Sequence, residues 1–170
     1  YTCQYDWQSE QIYCAYESDP FECLGFRLPT EAEWELAARN NKESPFLDGG
    51  ELYDDGESCS SSQLTSGNDI KEMAWFCGNS GLSVQPVGTL SANPAGLVDI
   101  HGNLWEWTSD SYESWEQNYE KNPYYNNDDI RVLKGGSFSS IPNELRFAKR
   151  LRATSTFDEE NYGFRLIRSK

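Results

Sequence analysis

The sequence predicts an α+β domain with short strands, few helices and much irregular loop. Three observations predict it. Aromatic residues make up 14% of the chain while all hydrophobic residues reach only 37%, so large rings must supply much of the core. A single segment carries a complete helix signal. Elsewhere Gly, Pro, Asn, Asp and Ser cut the apolar pattern into pieces too short for long elements.

The helix signal lies in GFRLPTEAEWELAARN, residues 25–40. Thr30 and Glu33 form a capping box, and Pro29 stops an earlier start. Glu31, Glu33 and Glu35 crowd the first turns, where the helix dipole favours negative charge. Trp34, Ala37 and Ala38 make an apolar stripe. The expected helix runs from about Glu31 to Arg39, and its three glutamates are read as a solvated face. Residues 1–24 are polar and cysteine-rich and read as loop. Residues 41–70 read as a long surface loop, with a short helical turn near Asp69–Met73. AWFCGNS, 74–80, reads as a short buried stretch ending in a turn. VQPVGTL, 84–90, reads as an irregular or edge strand because of Pro86. LVDIHGNLWEWTSD, 97–110, surrounds a Gly-Asn turn. Residues 109–129 are acidic, rich in Tyr and Asn, and expected to form a surface excursion. IRVLKGGSF, 130–138, reads as a strand ending at Gly135-Gly136. LRFAKRLRAT, 145–154, is open between strand and helix. NYGFRLIRS, 161–169, reads as a final strand.

The 170 residues suit one domain with a real core. The formal net charge of -14 repels nucleic acid and anionic membranes, so both are set aside as partners, while cations are favoured. No apolar run approaches the ~20 residues needed to span a bilayer, and the polar opening YTCQYDWQSEQ carries no signal peptide. The five cysteines are Cys3, Cys14, Cys23, Cys59 and Cys77, with no Cys-x-x-Cys pair of the kind zinc sites use. They read as staples of an oxidising compartment, hence secreted, periplasmic or cell-surface. Cys59–Cys77 would close a loop of ~19 residues, worth about 3 kcal/mol in the chain-entropy description. A second bridge is expected within Cys3, Cys14 and Cys23; Cys14 with Cys23 is one pairing, and its partners stay ambiguous. The fifth cysteine is free or pairs outside the chain.

Five segments come in order across residues 25–166: GFRLPTEAEWELAAR, PVGTL-x-x-NPAGL, D-x-HGNLWEWTSD, RVLKGGSF and YGFRL. Together they closely resemble the formylglycine-generating-enzyme, or sulfatase-modifying factor, family. The resemblance implies an elaborated C-type-lectin-like fold over residues 25–170. It also implies that the family's usual N-terminal part is missing before that point, residues 1–24 being a separate cysteine-rich segment.

The resembling enzymes bind copper(I) with two cysteines shortly after the GGS motif, because copper(I) requires soft thiolate. In GGSFSSIPNELRF those places hold Ser140 and Leu145. A hydroxyl and an isobutyl group cannot bind copper(I), so the sequence argues against that oxidase activity and names no catalytic residue. Iron-dependent sulfoxide synthases resemble the fold too, but a facial triad needs two His and a carboxylate. This chain has one histidine, His101, read as a turn residue packed near Trp105. Ser137 and Ser140 lack a base that could make either a nucleophile.

Family members resembling this sequence hold a structural calcium at the segment 99–106. The resemblance transfers its ligands to Asp99, the backbone of Gly102 and Leu104, and Glu106; calcium takes 6–8 such hard oxygens. The competing reading is that Asp99 and Glu106 cap the turn and pair with an arginine. Trp105 and Trp107 read as core. Arg27 and Arg165 are expected to pair carboxylates or cap carbonyls.

The function expected is a non-catalytic extracytoplasmic binding or interaction module. Its ligand surface would lie in the loops at 109–129 and 138–161, at Tyr112, Trp115, Tyr119, Ser139, Ser140 and Asn143, residue types suited to adaptable recognition. The ligand would be a protein or a glycan, or the chain would self-assemble. The alternatives are an enzyme or accessory half of a metal-dependent oxidase of the same family, and a structural subunit of a surface assembly or filament.

Overall fold

Helix α1 spans Glu31–Arg39, as the capping signal predicts. In this computed structural model, which describes residues 2–6, 11–15, 20–22, 25–114 and 122–168, α1 is the one α-helix among the described residues. Thr30 accepts the Glu33 N–H at 3.2 Å, and the Glu33 carboxylate accepts the Thr30 N–H at 2.9 Å. Asn40 ends the helix in the left-handed conformation, which Asn tolerates well.

The other elements are short. They are β1 (Thr2–Asp6), β2 (Gln11–Ala15), β3 (Phe26–Arg27), β4 (Ala74–Trp75), β5 (His101–Gly102), β6 (Trp105–Ser111), β7 (Ile130–Lys134), β8 (Leu151–Thr154), β9 (Tyr162–Gly163) and β10 (Ile167–Arg168), with 3-10 turns at Pro20–Glu22, Ile70–Glu72 and Pro142–Leu145. The main sheet has the order β8-β7-β6-β9. β7 runs antiparallel to β6 and β8, whereas β9 joins β6 in parallel. The β6–β7 register shifts between Trp107 and Ser111, and Asp110 in that stretch accepts the Glu31 N–H at the N-terminus of α1. β4 and β5 pair in parallel, and β10 pairs antiparallel with β3, which brings the two ends of the 25–168 region together.

Three expectations are corrected. Residues 1–24 are not all loop: β1 and β2 form an antiparallel hairpin that sets Cys3 opposite Cys14 as Cα partners. Cys23 lies outside the described residues, so the expected Cys14–Cys23 pairing does too. Residues 84–90 form no strand. Their backbone is held piecemeal, with Gln85 N–H bonded to the Asn103 side chain and Gly88 N–H to Asp99. The final segment is two short strands in different sheets, β9 and β10, rather than one.

Two apolar clusters organise the interior. The larger sits under α1 and the loops and contains Trp34, Phe46, Leu64, Ile70, Phe76, Leu145 and Phe147. The smaller lies on the main sheet around Trp105, Leu133 and Ala153, with Trp107 and Tyr162 against it. Trp107 and Tyr162 meet edge-on at 5.6 Å. Rings do fill much of the space between loops, because few long elements are present to bury aliphatic stripes. Cys59 and Cys77 are joined by a disulfide, with Cα atoms 5.3 Å apart. It staples the 41–70 loop to the stretch after β4.

Between α1 and the sheet lies a charged layer that the sequence reading placed in solvent. Glu31 is 5% exposed and receives hydrogen bonds from Lys134, itself wholly buried, and from Arg150. Glu35 binds Lys134 at 3.0 Å and Arg39 at 2.8 Å, and Glu33 binds Arg27 through both nitrogens. Glu31 and Glu35 therefore lie on the docking face of α1, while Glu33 closes the capping box and pairs with Arg27. Sequence gives no period that separates a solvated acidic face from one matched to basic residues about a hundred positions away.

Candidate functional site

Asp99, Gly102, Leu104 and Glu106 line one cavity of about 230 Å³ together with Val98 and Arg165. The turn exists because Asp99, Gly102 and Asn103 all adopt positive φ. Gly102 is required there: a Cβ would fall on the Trp75 carbonyl oxygen across the β4–β5 pair. The Glu106 carboxylate is 11% exposed and already well engaged. Its Oε2 accepts from Trp34 Nε1 at 2.6 Å and Arg165 Nε at 2.5 Å, and its Oε1 accepts from Arg165 Nη2 at 2.6 Å. Arg165 Nη2 also reaches the Val98 and Asp99 carbonyls at 3.2 and 3.3 Å. Asp99 Oδ2 accepts the Gly88 N–H at 2.7 Å.

The donors are all hard oxygens, which suits calcium in kind. A carboxylate offers about four lone-pair sites, and Glu106 has three filled, leaving one on Oε1. Arg165 thus pairs with Glu106 and caps the Val98 and Asp99 carbonyls, as the competing reading of this turn expects, and a cation would have to share Glu106 with that guanidinium. Among the described residues no three of His, Cys, Asp and Glu gather in a metal-binding group, so backbone oxygens would supply the remainder.

The places assigned by resemblance to the copper cysteines lie in the turn after β7. Ser140 is 4% exposed, and its Oγ accepts the Ser137 N–H at 3.2 Å. The Ser140 carbonyl accepts the Cys77 N–H at 3.1 Å, tying this turn to the disulfide. Leu145 has no exposed surface and belongs to the larger apolar cluster. Its carbonyl lies 2.6 Å from His101 Nδ1, while His101 Nε2 lies 3.1 Å from the Leu47 N–H. A carbonyl only accepts, so Nδ1 carries the proton and Nε2 accepts: His101 is neutral. Burial depresses its pKa to about 4, against a smaller upward pull from the Leu145 hydrogen bond. It packs between Phe46 and Phe147, not beside Trp105 as the sequence suggested.

The family model of the sulfatase-modifying factor enzyme 1-like domain matches residues 3–170. The chain belongs to this family. The inactive C-alpha-formylglycine-generating enzyme 2 of Bos taurus is 31% identical over 165 residues, covering 94% of this chain and 47% of the relative. The formylglycine-generating enzyme of Mus musculus is 32% identical over 171 residues, covering 94% of this chain and 41% of the relative. Among solved structures, Treponema denticola variable protein 1 superposes with a TM-score of 0.70 and 30% identity, over 86% of this chain and 48% of that one. PvdO from Pseudomonas aeruginosa gives 0.65 and 25%, over 85% and 53%. The chain spans about half the length of the relatives it matches. The fold is that of formylglycine-generating-enzyme-like, C-type-lectin-like domains.

On this formylglycine-generating-enzyme-like scaffold the remaining candidate residues are dispersed. Tyr112 follows β6 and lies beneath two cations, with Arg150 4.4 Å and Arg152 5.9 Å from its ring centroid. Ser139 is exposed. Asn143 is bound elsewhere, its N–H to the Gly56 carbonyl at 3.1 Å and its Nδ2 to Glu57 at 2.6 Å. Ser140 is buried and shapes its turn instead of facing solvent. Trp115 and Tyr119 lie outside the described residues. Sequence reasoning missed Asp110, which is 4% exposed. Asp110 accepts the Glu31 N–H at 2.7 Å and the Tyr125 N–H at 3.4 Å, joining the start of α1 to the excursion. Burial raises its pKa to about 6, with repulsion from Glu31 adding to the effect against the backbone hydrogen bonds. The only sequence signal for it was its place at the end of the WEWTSD motif.

Proposed function

We propose that this domain is a non-catalytic binding or interaction module of an extracytoplasmic protein. The observation that carries the reading is the state of positions 140 and 145. One is a serine whose hydroxyl is committed to its own turn, and the other is a leucine packed in the core. Neither offers a thiolate to copper(I), and His101, the chain's one imidazole, is held neutral between a carbonyl and an amide. The similarity to relatives named inactive supports the same reading. The Cys59–Cys77 disulfide supports an oxidising compartment.

The ligand, a protein or a glycan, would meet Tyr112, Ser139 and Asn143 and the excursion that contains Trp115 and Tyr119. Calcium would bind at the 99–106 turn, with Asp99, Glu106 and the backbone of Gly102 and Leu104 as donors. Its role would be to fix loop geometry.

Metal analysis of protein purified without chelator, followed by oxygen uptake with added copper(I) and a thiol peptide, tests the proposal. The expected result is about one calcium per chain, in line with one site of this donor type, no copper or iron, and no oxygen uptake. Stoichiometric copper with oxygen uptake would overturn it in favour of a divided oxidase. Deleting residues 111–127 and placing alanines across 139–143 should abolish ligand capture; retained capture would refute the surface named here.

A further inference from the structure

A second cavity lies away from the 99–106 turn, between the 43–55 loop and the segment 143–148. Its volume is about 470 Å³, within the range of roughly 300–1,000 Å³ typical of small-ligand sites. Its lining combines two arginines, Arg39 and Arg146, with the exposed carboxylates of Glu43, Glu51, Asp54 and Asp55. Arg146 is fixed by its Nε, which donates to the Asn143 carbonyl at 2.9 Å. The two terminal nitrogens of that guanidinium have no hydrogen-bond partner among the described residues. The other guanidinium in the lining, Arg39, is engaged by Glu35 and the carbonyls of Glu43 and Ser44.

Glu51, Asp54 and Asp55 line the same cavity. The Glu51 carboxylate has no partner among the described residues, and Asp55 takes only the Glu57 N–H. No ion pair closes Arg146 onto any of the three among the described residues. Pro45 and Leu52 add apolar surface between the charged groups.

The rim is also built in advance. Asp54 fixes its own loop by accepting from the Gly56 N–H and the Ser61 hydroxyl. Asn143 ties Gly56 and Glu57 to the opposite segment, and the Cys59–Cys77 disulfide anchors the loop just beyond. Gly56 has a φ of 68°, and a Cβ there would collide with Leu52 and Asn143, so the contact tolerates no side chain. A rim already ordered costs a ligand little to engage.

We propose that this cleft binds a basic amino acid bearing a free carboxylate, as found at the C-terminus of a peptide ending in lysine or arginine. The terminal carboxylate pairs with the open edge of Arg146, a geometry guanidinium favours. The aliphatic stem lies on Pro45 and Leu52. The cationic head meets Glu51 and Asp55. The proposal rests on the binding-module reading and names a ligand class for it.

Calorimetric titration of the intact chain with Nα-acetyl-L-lysine, its carboxamide, Nα-acetyl-L-norleucine and free L-lysine tests the idea. Saturable binding of Nα-acetyl-lysine is expected, weakened roughly tenfold or more in the carboxamide and in norleucine, each of which lacks one charged hydrogen-bonding group. Arg146→Gln and Glu51→Gln should each weaken it by a similar factor without changing the melting temperature. Free lysine binding as tightly as the acetylated form would assign the site to the amino acid itself; weaker binding assigns it to a peptide end. Absence of saturable binding, or equal affinity for the carboxamide, overturns the proposal without needing a variant to fold. Capture of a protein or glycan ligand by a chain that binds none of the four probes would sink the cleft and leave the module standing. Copper-dependent oxygen uptake alongside lysine binding would sink the module and leave the cleft.

Discussion

His101 and Asp110 are both buried, and burial acts on them in opposite directions. The folded pKa of His101 is about 4, below its ordinary 6.5. As pH falls from 6.5 towards 4 the unfolded chain takes up a proton that the folded chain refuses, so the stability present above 6.5 is lost on acidification. The folded pKa of Asp110 is about 6, above its ordinary 3.8. Its contribution is full below 3.8 and is lost as pH rises through 6, because only the folded chain keeps the proton in between. Each effect is on the order of 3 kcal/mol, and the two oppose each other between pH 4 and 6. Urea denaturation across this window should find the parent chain changing less than either variant. His101→Phe should gain stability on acidification, and Asp110→Asn should lose more than the parent. Parallel profiles for all three would refute the assignment. Neither group's environment was readable in advance. His101 stands beside a Gly-Asn turn in sequence, but its partners, Leu47 and Leu145, come from distant segments.

At the scale of elements, legibility follows how local the determining contacts are. Helix α1 was readable to the residue because Pro29, Thr30 and Glu33 decide its start within one turn. Thr30→Ala should cost about 1 kcal/mol in denaturation experiments, with more added because the side chain is fully buried, whereas Thr30→Ser should recover most of it. A cost near zero would mean that the contacts of Glu31 and Glu35, not the cap, hold the helix start. The glutamate face was misread because its partners Lys134 and Arg150 are long-range. The 84–90 stretch has the composition of a strand, yet side chains at Asn103 and Asp99 take its amides, so no ladder forms. The β1–β2 hairpin went unread although Cys3 and Tyr5 alternate with Thr2, Gln4 and Asp6, because an alternation of five residues with no turn motif beside it is a weak strand signal. At the 99–106 turn the resemblance named residues that share a cavity, and the expectations that Arg165 pairs a carboxylate and that Glu106 pairs an arginine meet in one ion pair.

For the whole molecule, short strands in several small sheets leave much of the backbone to be fixed by turns, side-chain caps and one covalent tie. Replacing Cys59 and Cys77 by serine should cost about 3 kcal/mol, the chain-entropy value for a loop with a sequence separation of 18. Thermal denaturation with and without reductant would measure it, and no change in the parent on reduction would contradict the staple. Family membership and fold class were legible because five motifs retain their order. Function was less so, because it depends on what two positions have become. Leu145 is locked into the interior on two sides: its Cδ2 stands 2.5 Å from where a Cβ on Gly136 would be, and its carbonyl anchors His101. Trading it for cysteine would remove packed carbon from the interior before any copper could bind, since the thiol at position 140 would still be missing. Any exchange at position 145 would therefore be felt first as lost packing, in the apolar interior and at the imidazole together, whatever chemistry the new side chain could bring.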